Sequence, residues 1–168
     1  MEVMEYVVDF NEHIKIVESY LGAFNAMKNP IGFTINLHPY LKYKNDVGHN
    51  MKRRLSNSDI DNIWSIFSNN LRHAFTFSYE RKLHPTRYLA FASVQIGKIS
   101  GQPHLHGVVD NTFNIDQRCI RWILNQSIRN ASTPDNWVCD TDYNFSVDSG
   151  WVRYLLREEY SYALLARI

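Results

Sequence analysis

Two strand-like stretches joined by a short turn constrain this chain most. Residues 87–97 read as one strand and His104 to Asp110 as the next. Between them lies the turn from Lys98 to Pro103, which contains Gly101. So short a connection joins antiparallel neighbours, because parallel ones need a crossover of a dozen or more residues. The sheet therefore contains a hairpin, and the segments around it set the fold class.

Those segments alternate between helix and strand. Val7, Phe10, Ile14, Val17, Leu21 and Phe24 recur at three- and four-residue spacing, which predicts an amphipathic helix ending near Asn29-Pro30. Gly32 to Leu37 alternates as a strand and is closed by His38-Pro39. Residues 40–57 are polar and basic and read as a loop. A second helix is expected from Ser58, with Ser58 and Asp61 as a capping box and Ile60, Ile63, Trp64, Phe67 and Leu71 as its apolar face. A third runs roughly over 115–130 with Ile115, Cys119, Ile120, Ile123 and Ile128 inward, which makes Cys119 a buried thiol. Residues 136–147 read as a further strand or hairpin, and a last helix starts near Ser149. This order predicts an α+β fold: a central antiparallel sheet with flanking helices on one side, ferredoxin-like or RRM-like.

Length and composition agree with one globular domain. The chain has 168 residues, 45% hydrophobic and 21% charged, enough to bury a single core. Residues 31–160 read as that core, with 1–29 an appended amphipathic helix. The apolar runs are too short for a membrane-spanning helix, and the acidic N-terminus is unlike a signal peptide. Two cysteines make no disulfide framework, which fits a reducing, cytoplasmic or host-intracellular location and not secretion.

The charge is unevenly placed. The chain has a formal net charge of only +1. Residues 1–20 nevertheless carry five acids against one base, whereas residues 42–98 carry ten bases against four acids. A polyanion can be held by such a local field. Tyr40, Lys42, Tyr43, Lys44, Lys52, Arg53 and Arg54 combine cations and rings in one stretch, the combination that grips unpaired nucleic acid. The acidic helix reads as packed on the helical face of the sheet, with a cover over the basic surface or a dimer contact as alternatives. The four tryptophans read mainly as core.

His104 and His106 are the sharpest chemical feature. Side chains two apart on a strand share a face, so two imidazoles lie side by side and can chelate one metal ion. Gln95, on the preceding strand, is placed to add an amide oxygen. That ligand set suits Mg²⁺ or Mn²⁺, although imidazole also admits Zn²⁺ or Ni²⁺. In the last helix the apolar stripe includes Trp151, Val152, Leu155, Leu156 and Tyr162. Tyr154 falls away from it, close to Arg157.

Pro103-His104-Leu105-His106-Gly107, followed by a helix carrying Tyr154-Leu155-Leu156-Arg157, resembles the HUH endonucleases. It is most similar to the single-tyrosine rolling-circle replication initiators. Phe33 to Leu37 resembles their first motif, His104 and His106 their paired histidines, and Tyr154 their nucleophile. Arg157 stands where lysine is usual, and Gln95 where a carboxylate ligand is common. The resemblance implies a divalent metal, Mg²⁺ or Mn²⁺, held by His104, His106 and Gln95. It implies attack of Tyr154 on single-stranded DNA at an origin or hairpin, giving a 5′-phosphotyrosine link and a free 3′-hydroxyl. Arg157 would steady the phosphate charge, and a host helicase is an implied partner. A single-strand transposase or relaxase of the same superfamily, a metal hydrolase, and a non-catalytic RRM-like binding module remain as alternatives.

Overall fold

The computed structural model describes residues 10–79, 88–97, 101–132, 138–156 and 162–167. In chain order the elements are α1 (Phe10–Asn25), β1 (Pro30–Leu37), β2 (Tyr40–Lys44), β3 (Asn50–Arg54), α2 (Asn57–Tyr79), β4 (Tyr88–Ile96), β5 (Pro103–Asp110), α3 (Gln117–Ser132), β6 (Val138–Asn144), α4 (Ser149–Leu155) and β7 (Tyr162–Arg167). Five strands form one antiparallel sheet in the order β6-β1-β5-β4-β7, and β2 pairs with β3 separately. Without that hairpin and β7, the run β1-α2-β4-β5-α3-β6 is the βαββαβ ferredoxin-like arrangement. None of the described helices is long and apolar enough to cross a membrane.

Strand parity divides the molecule into two cores. Phe33, Ile35, Ala92, Val94, Leu105 and Val109 face α2 and α3, where Ile60, Ile63, Trp64, Phe67, Leu71, Ile120, Ile123 and Leu124 close over them. Phe91 and Val108 face the other way, under Tyr20 and Phe24 of α1 and Val152 and Leu155 of α4. Helices therefore cover both faces, contrary to the one-sided arrangement expected. The α1 helix packs as predicted but on the opposite face from α2 and α3, with Tyr20 edge-on to Phe91 at 4.9 Å. A buried carboxylate fixes its exit: Asp110 accepts from the backbone N–H groups of Lys28 and Asn29, each at 3.0 Å, and from Thr112 Oγ1 at 2.7 Å.

Gly107 pairs with Phe33 and Ala92 on the α2 and α3 face, where there is no room for a side chain. A Cβ there would lie 2.3 Å from Phe33 Cζ and 2.6 Å from the Phe91 carbonyl oxygen. The second obstacle is backbone of the neighbouring strand and cannot swing aside. Gly107→Ala is expected to cost about 2–3 kcal/mol by overpacking. A urea melt with an unchanged midpoint would contradict this.

Four local expectations need correction. Residues 40–57 are not a loop, since β2 and β3 form a hairpin within them. Its turn is closed by Gly48 N–H donating to the Asn45 carbonyl at 2.8 Å, with Gly48 at φ +83°. The capping box of α2 lies two residues earlier than predicted. Ser56 Oγ accepts from Asp59 N–H at 3.2 Å, and the Asp59 carboxylate accepts from Ser56 N–H at 2.8 Å. Cys119 is exposed, because Ile120, Ile123, Leu124 and Ile128 set a stripe that excludes it. Asp116 starts α3 by accepting from Arg118 and Cys119 N–H. Of the tryptophans, Trp64 is core, whereas Trp122 is 62% exposed on the outer side of α3.

Asp59 also receives the Arg53 guanidinium fork, at 2.5 and 2.8 Å. The arginine, with smaller help from Ser56, holds the carboxyl well below its ordinary value of 3.8. A carboxylate with a depressed folded-state pKa contributes stability that is present above the unfolded value and lost as pH falls below it. Thermal melts should therefore show the wild type losing more stability below about pH 4 than Asp59→Ala does. Parallel pH curves for the two proteins would contradict this.

Candidate functional site

The site is built on the sheet face under α4. Cross-strand register places Asn36, His104 and Gln95 in one row and Thr34, His106 and Ser93 in the next. Residues directly opposite share a face, so all six point toward the α1 and α4 side. The two imidazoles lie side by side as expected, with ring centroids 4.7 Å apart.

Each histidine is oriented through Nδ1. His106 Nδ1 meets Thr34 Oγ1 at 2.9 Å, and His104 Nδ1 lies 3.3 Å from the Gln102 carbonyl. A carbonyl only accepts, so it selects the His104 tautomer with the proton on Nδ1 and the lone pair on Nε2. Metal-ligating imidazoles are commonly held this way by an outer partner. The donor set fits a divalent ion: two imidazoles plus an amide oxygen from Gln95, which stands directly opposite His104. Among the described residues no group of three or more histidine, cysteine or acidic side chains is gathered for a metal, here or elsewhere, so any ion at this site would rest on two imidazoles and an amide.

The α4 helix is bolted to the same strands. Asp148 caps its start by accepting from Gly150 N–H at 2.9 Å. Trp151 Nε1 donates to the Gly107 carbonyl at 3.1 Å. At the other end the Leu155 carbonyl, which the helix leaves unpaired, accepts from Ser93 Oγ at 2.6 Å and Gln95 Nε2 at 3.2 Å. Val152 and Leu155 are fully buried against the sheet. Gly32 permits the approach, since a Cβ there would lie 2.5 Å from Val147 and 3.1 Å from the Trp151 ring.

This docking puts Tyr154 beside His106. Its ring centroid is 5.5 Å from that of His106 and 5.5 Å from that of Trp151, with which it stacks at 21°. Trp151 itself stands edge-on to His106 at 6.1 Å. Helix, tyrosine and histidine pair thus form one contiguous cluster, although 48 residues separate His106 from Tyr154.

The other expected site residues lie apart from this cluster or outside the described residues. Arg157 lies outside the described residues. The helix ends at Leu155, and Tyr162 opens β7, so Tyr162 is not part of the helical stripe. Arg53 is committed to Asp59 and to the Arg54 carbonyl at 3.2 Å. Tyr40, Lys42, Tyr43, Lys44, Lys52 and Arg54 lie on the hairpin and are exposed.

Sequence reasoning missed Thr34, Ser93 and Trp151. Thr34 and Ser93 carried a usable signal, because polar residues interrupt buried strands at the parity of the histidines. Trp151 carried none apart from its place on α4.

Gln95 also ties β4 to the end of α4. Its amide nitrogen must donate to the Leu155 carbonyl, and a carboxylate there would face that carbonyl with a second acceptor.

No family model, no curated protein and no solved structure matches this chain.

Proposed function

We propose that this chain is a metal-dependent endonuclease that nicks and rejoins single-stranded DNA through Tyr154, in the manner of the HUH replication initiators it resembles. The observation that carries this reading is the Tyr154 ring held 5.5 Å from His106, itself 4.7 Å from His104. A divalent ion bound there by His104, His106 and Gln95 would neutralise and polarise the scissile phosphate. The chain's own residues do the rest. The Gln102 carbonyl selects the His104 tautomer with its lone pair on Nε2, and Thr34 orients the His106 ring. Trp151, Ser93 and Gln95 fix α4 so that the Tyr154 hydroxyl is presented from a rigid support.

The phenol loses its proton as its oxygen bonds to phosphorus. The bond from phosphorus to the 3′ oxygen breaks, and that oxygen takes up a proton to leave a free 3′-hydroxyl. One phosphoester replaces another, so the DNA is left joined to Tyr154 through its 5′-phosphate and the reverse attack reseals it. Starting rolling-circle replication of a plasmid, phage or virus is the role this chemistry serves best. A host helicase would then unwind the parent duplex, and the enzyme would act inside the cell.

An RRM-like binding module is the weaker reading. Such modules stack bases on an open sheet face, whereas here α1 and α4 lie over that face.

The test is a denaturing gel of the protein mixed with labelled single-stranded DNAs, with and without Mn²⁺ or Mg²⁺. A covalent band that requires the metal is expected. Free cleavage products with no adduct would favour a hydrolase instead.

A further inference from the structure

We propose that the β2–β3 hairpin is a ribbon that docks on double-stranded DNA and holds it beside the site that nicks the single strand. The choice of DNA rests on the nicking reading above, and the ribbon's own geometry supplies the preference for duplex. Facing pairs in an antiparallel ribbon share a side. Tyr40 with Arg54, Lys42 with Lys52, and Lys44 with Asn50 therefore occupy one side, and Leu41 with Arg53 and Tyr43 with Met51 the other. Lys42, Lys44, Lys52 and Arg54 thus project four cations from a single face.

That face is unfavourable to the free protein. Like charges directly opposite destabilise a two-stranded ladder, and Lys42 stands directly opposite Lys52. Among the described residues no acidic side chain pairs with any of the four cations. The nearest carboxylate in sequence, Asp46, is at the turn. A row of phosphates would relieve the repulsion.

The ribbon is also held in a fixed pose. Leu41 is buried in the larger core, Arg53 is forked onto Asp59, and Leu55 N–H donates to the Pro39 carbonyl at 3.1 Å. The turn is closed by Asn45 N–H donating to the His49 carbonyl at 3.0 Å.

Duplex is favoured over single strand by where the rings lie. Grips on unpaired strands set aromatic platforms among the cations. Here Tyr43 and Met51 are on the side away from the cations, and only Tyr40, at the base, joins them. A two-stranded ribbon of this kind is narrow enough to enter the major groove, about 12 Å wide. It is about 17 Å long, enough to follow several phosphates.

Its position suits the role. Asn36 near the end of β1 stands opposite His104, and the ribbon starts four residues on, at Tyr40. A duplex seated on the ribbon would lead its unpaired extension toward the histidine end of the sheet.

The test is fluorescence anisotropy of the full chain with a labelled 20-base-pair duplex and with a single strand of equal length, over a range of salt. The variant is Lys42→Gln/Lys44→Gln/Lys52→Gln/Arg54→Gln, with Lys15→Gln as a charge control and circular dichroism to confirm folding. Each lost phosphate contact removes about one unit of the salt slope. Duplex affinity is expected to fall at least about tenfold and its slope by about 4, while single-strand affinity changes less than about threefold. An equal loss on both DNAs, or no loss on duplex, would overturn the proposal. Should the variant misfold, Lys42→Gln/Lys52→Gln serves with half the expected slope change. Covalent capture of a short single strand is scored separately. If capture fails while ribbon-dependent duplex binding persists, the nicking reading is lost and the ribbon stands.

Discussion

Tyr154→Phe is expected to abolish covalent capture of DNA while leaving the protein folded and able to bind it. Phenylalanine keeps the stack on Trp151 and the edge contact with His106, so little packing is lost. Only the hydroxyl disappears, and with it the group proposed to form the ester. Loss of a covalent nucleophile of this kind costs about 10³-fold or more. Tyr160→Phe and Tyr162→Phe are expected to capture DNA as the wild type does. Tyr162 opens β7, and Tyr160 lies outside the described residues. Adduct that persists in Tyr154→Phe would move the chemistry to another residue, and free cleavage in that variant would make the enzyme a hydrolase.

Replacing the histidines is the second large effect. His104→Ala/His106→Ala removes both nitrogen ligands and leaves only the Gln95 amide. Isothermal titration with Mn²⁺ should then show no specific site, and the metal-dependent adduct should fall by about 10²-fold or more. Thr34→Val keeps both rings but removes the group that orients His106 at 2.9 Å. It is expected to weaken Mn²⁺ binding by about 10- to 100-fold, the usual consequence of losing an outer-sphere partner. Metal affinity unchanged in the double variant would place the ion elsewhere. Because the titration reads binding and not turnover, it separates a lost ligand from a displaced tyrosine.

Much of this arrangement was legible in the sequence, for physical reasons that differ by element. The β4–β5 hairpin and the β1 strand announce themselves by alternation around short turns, and parity alone puts His104 and His106 on one face, whereas the place of Gln95 beside them is set by the hairpin register. The α2 stripe of Ile60, Ile63, Trp64, Phe67 and Leu71 is wholly buried, as its period requires. The β2–β3 hairpin was hidden because its strands lie almost entirely in solvent, so hydrophobic alternation had nothing to report. Leu41 is its one buried residue. Helical periodicity misled at the C-terminal end: residues 151–163 fit a stripe on paper, yet the chain leaves the helix after Leu155 and returns as β7. The burial of α1 was predictable from its stripe, but not the face it chose. That choice rests on tertiary contacts, the hold of Asp110 on the Lys28–Asn29 backbone and the seat of Tyr20 against Phe91. The clamp of Ser93 and Gln95 on the Leu155 carbonyl was likewise invisible, since it joins residues about sixty positions apart.

The central claim is that Tyr154 forms the bond to DNA. Its most direct test is mass spectrometry of the protein after reaction with a single-stranded oligonucleotide and Mn²⁺, followed by nuclease trimming and proteolysis. The expected result is a peptide spanning Trp151–Leu156 with a nucleotide linked through its 5′-phosphate to Tyr154. A link on any other residue, or cleaved DNA with every tyrosine unmodified, would contradict the assignment.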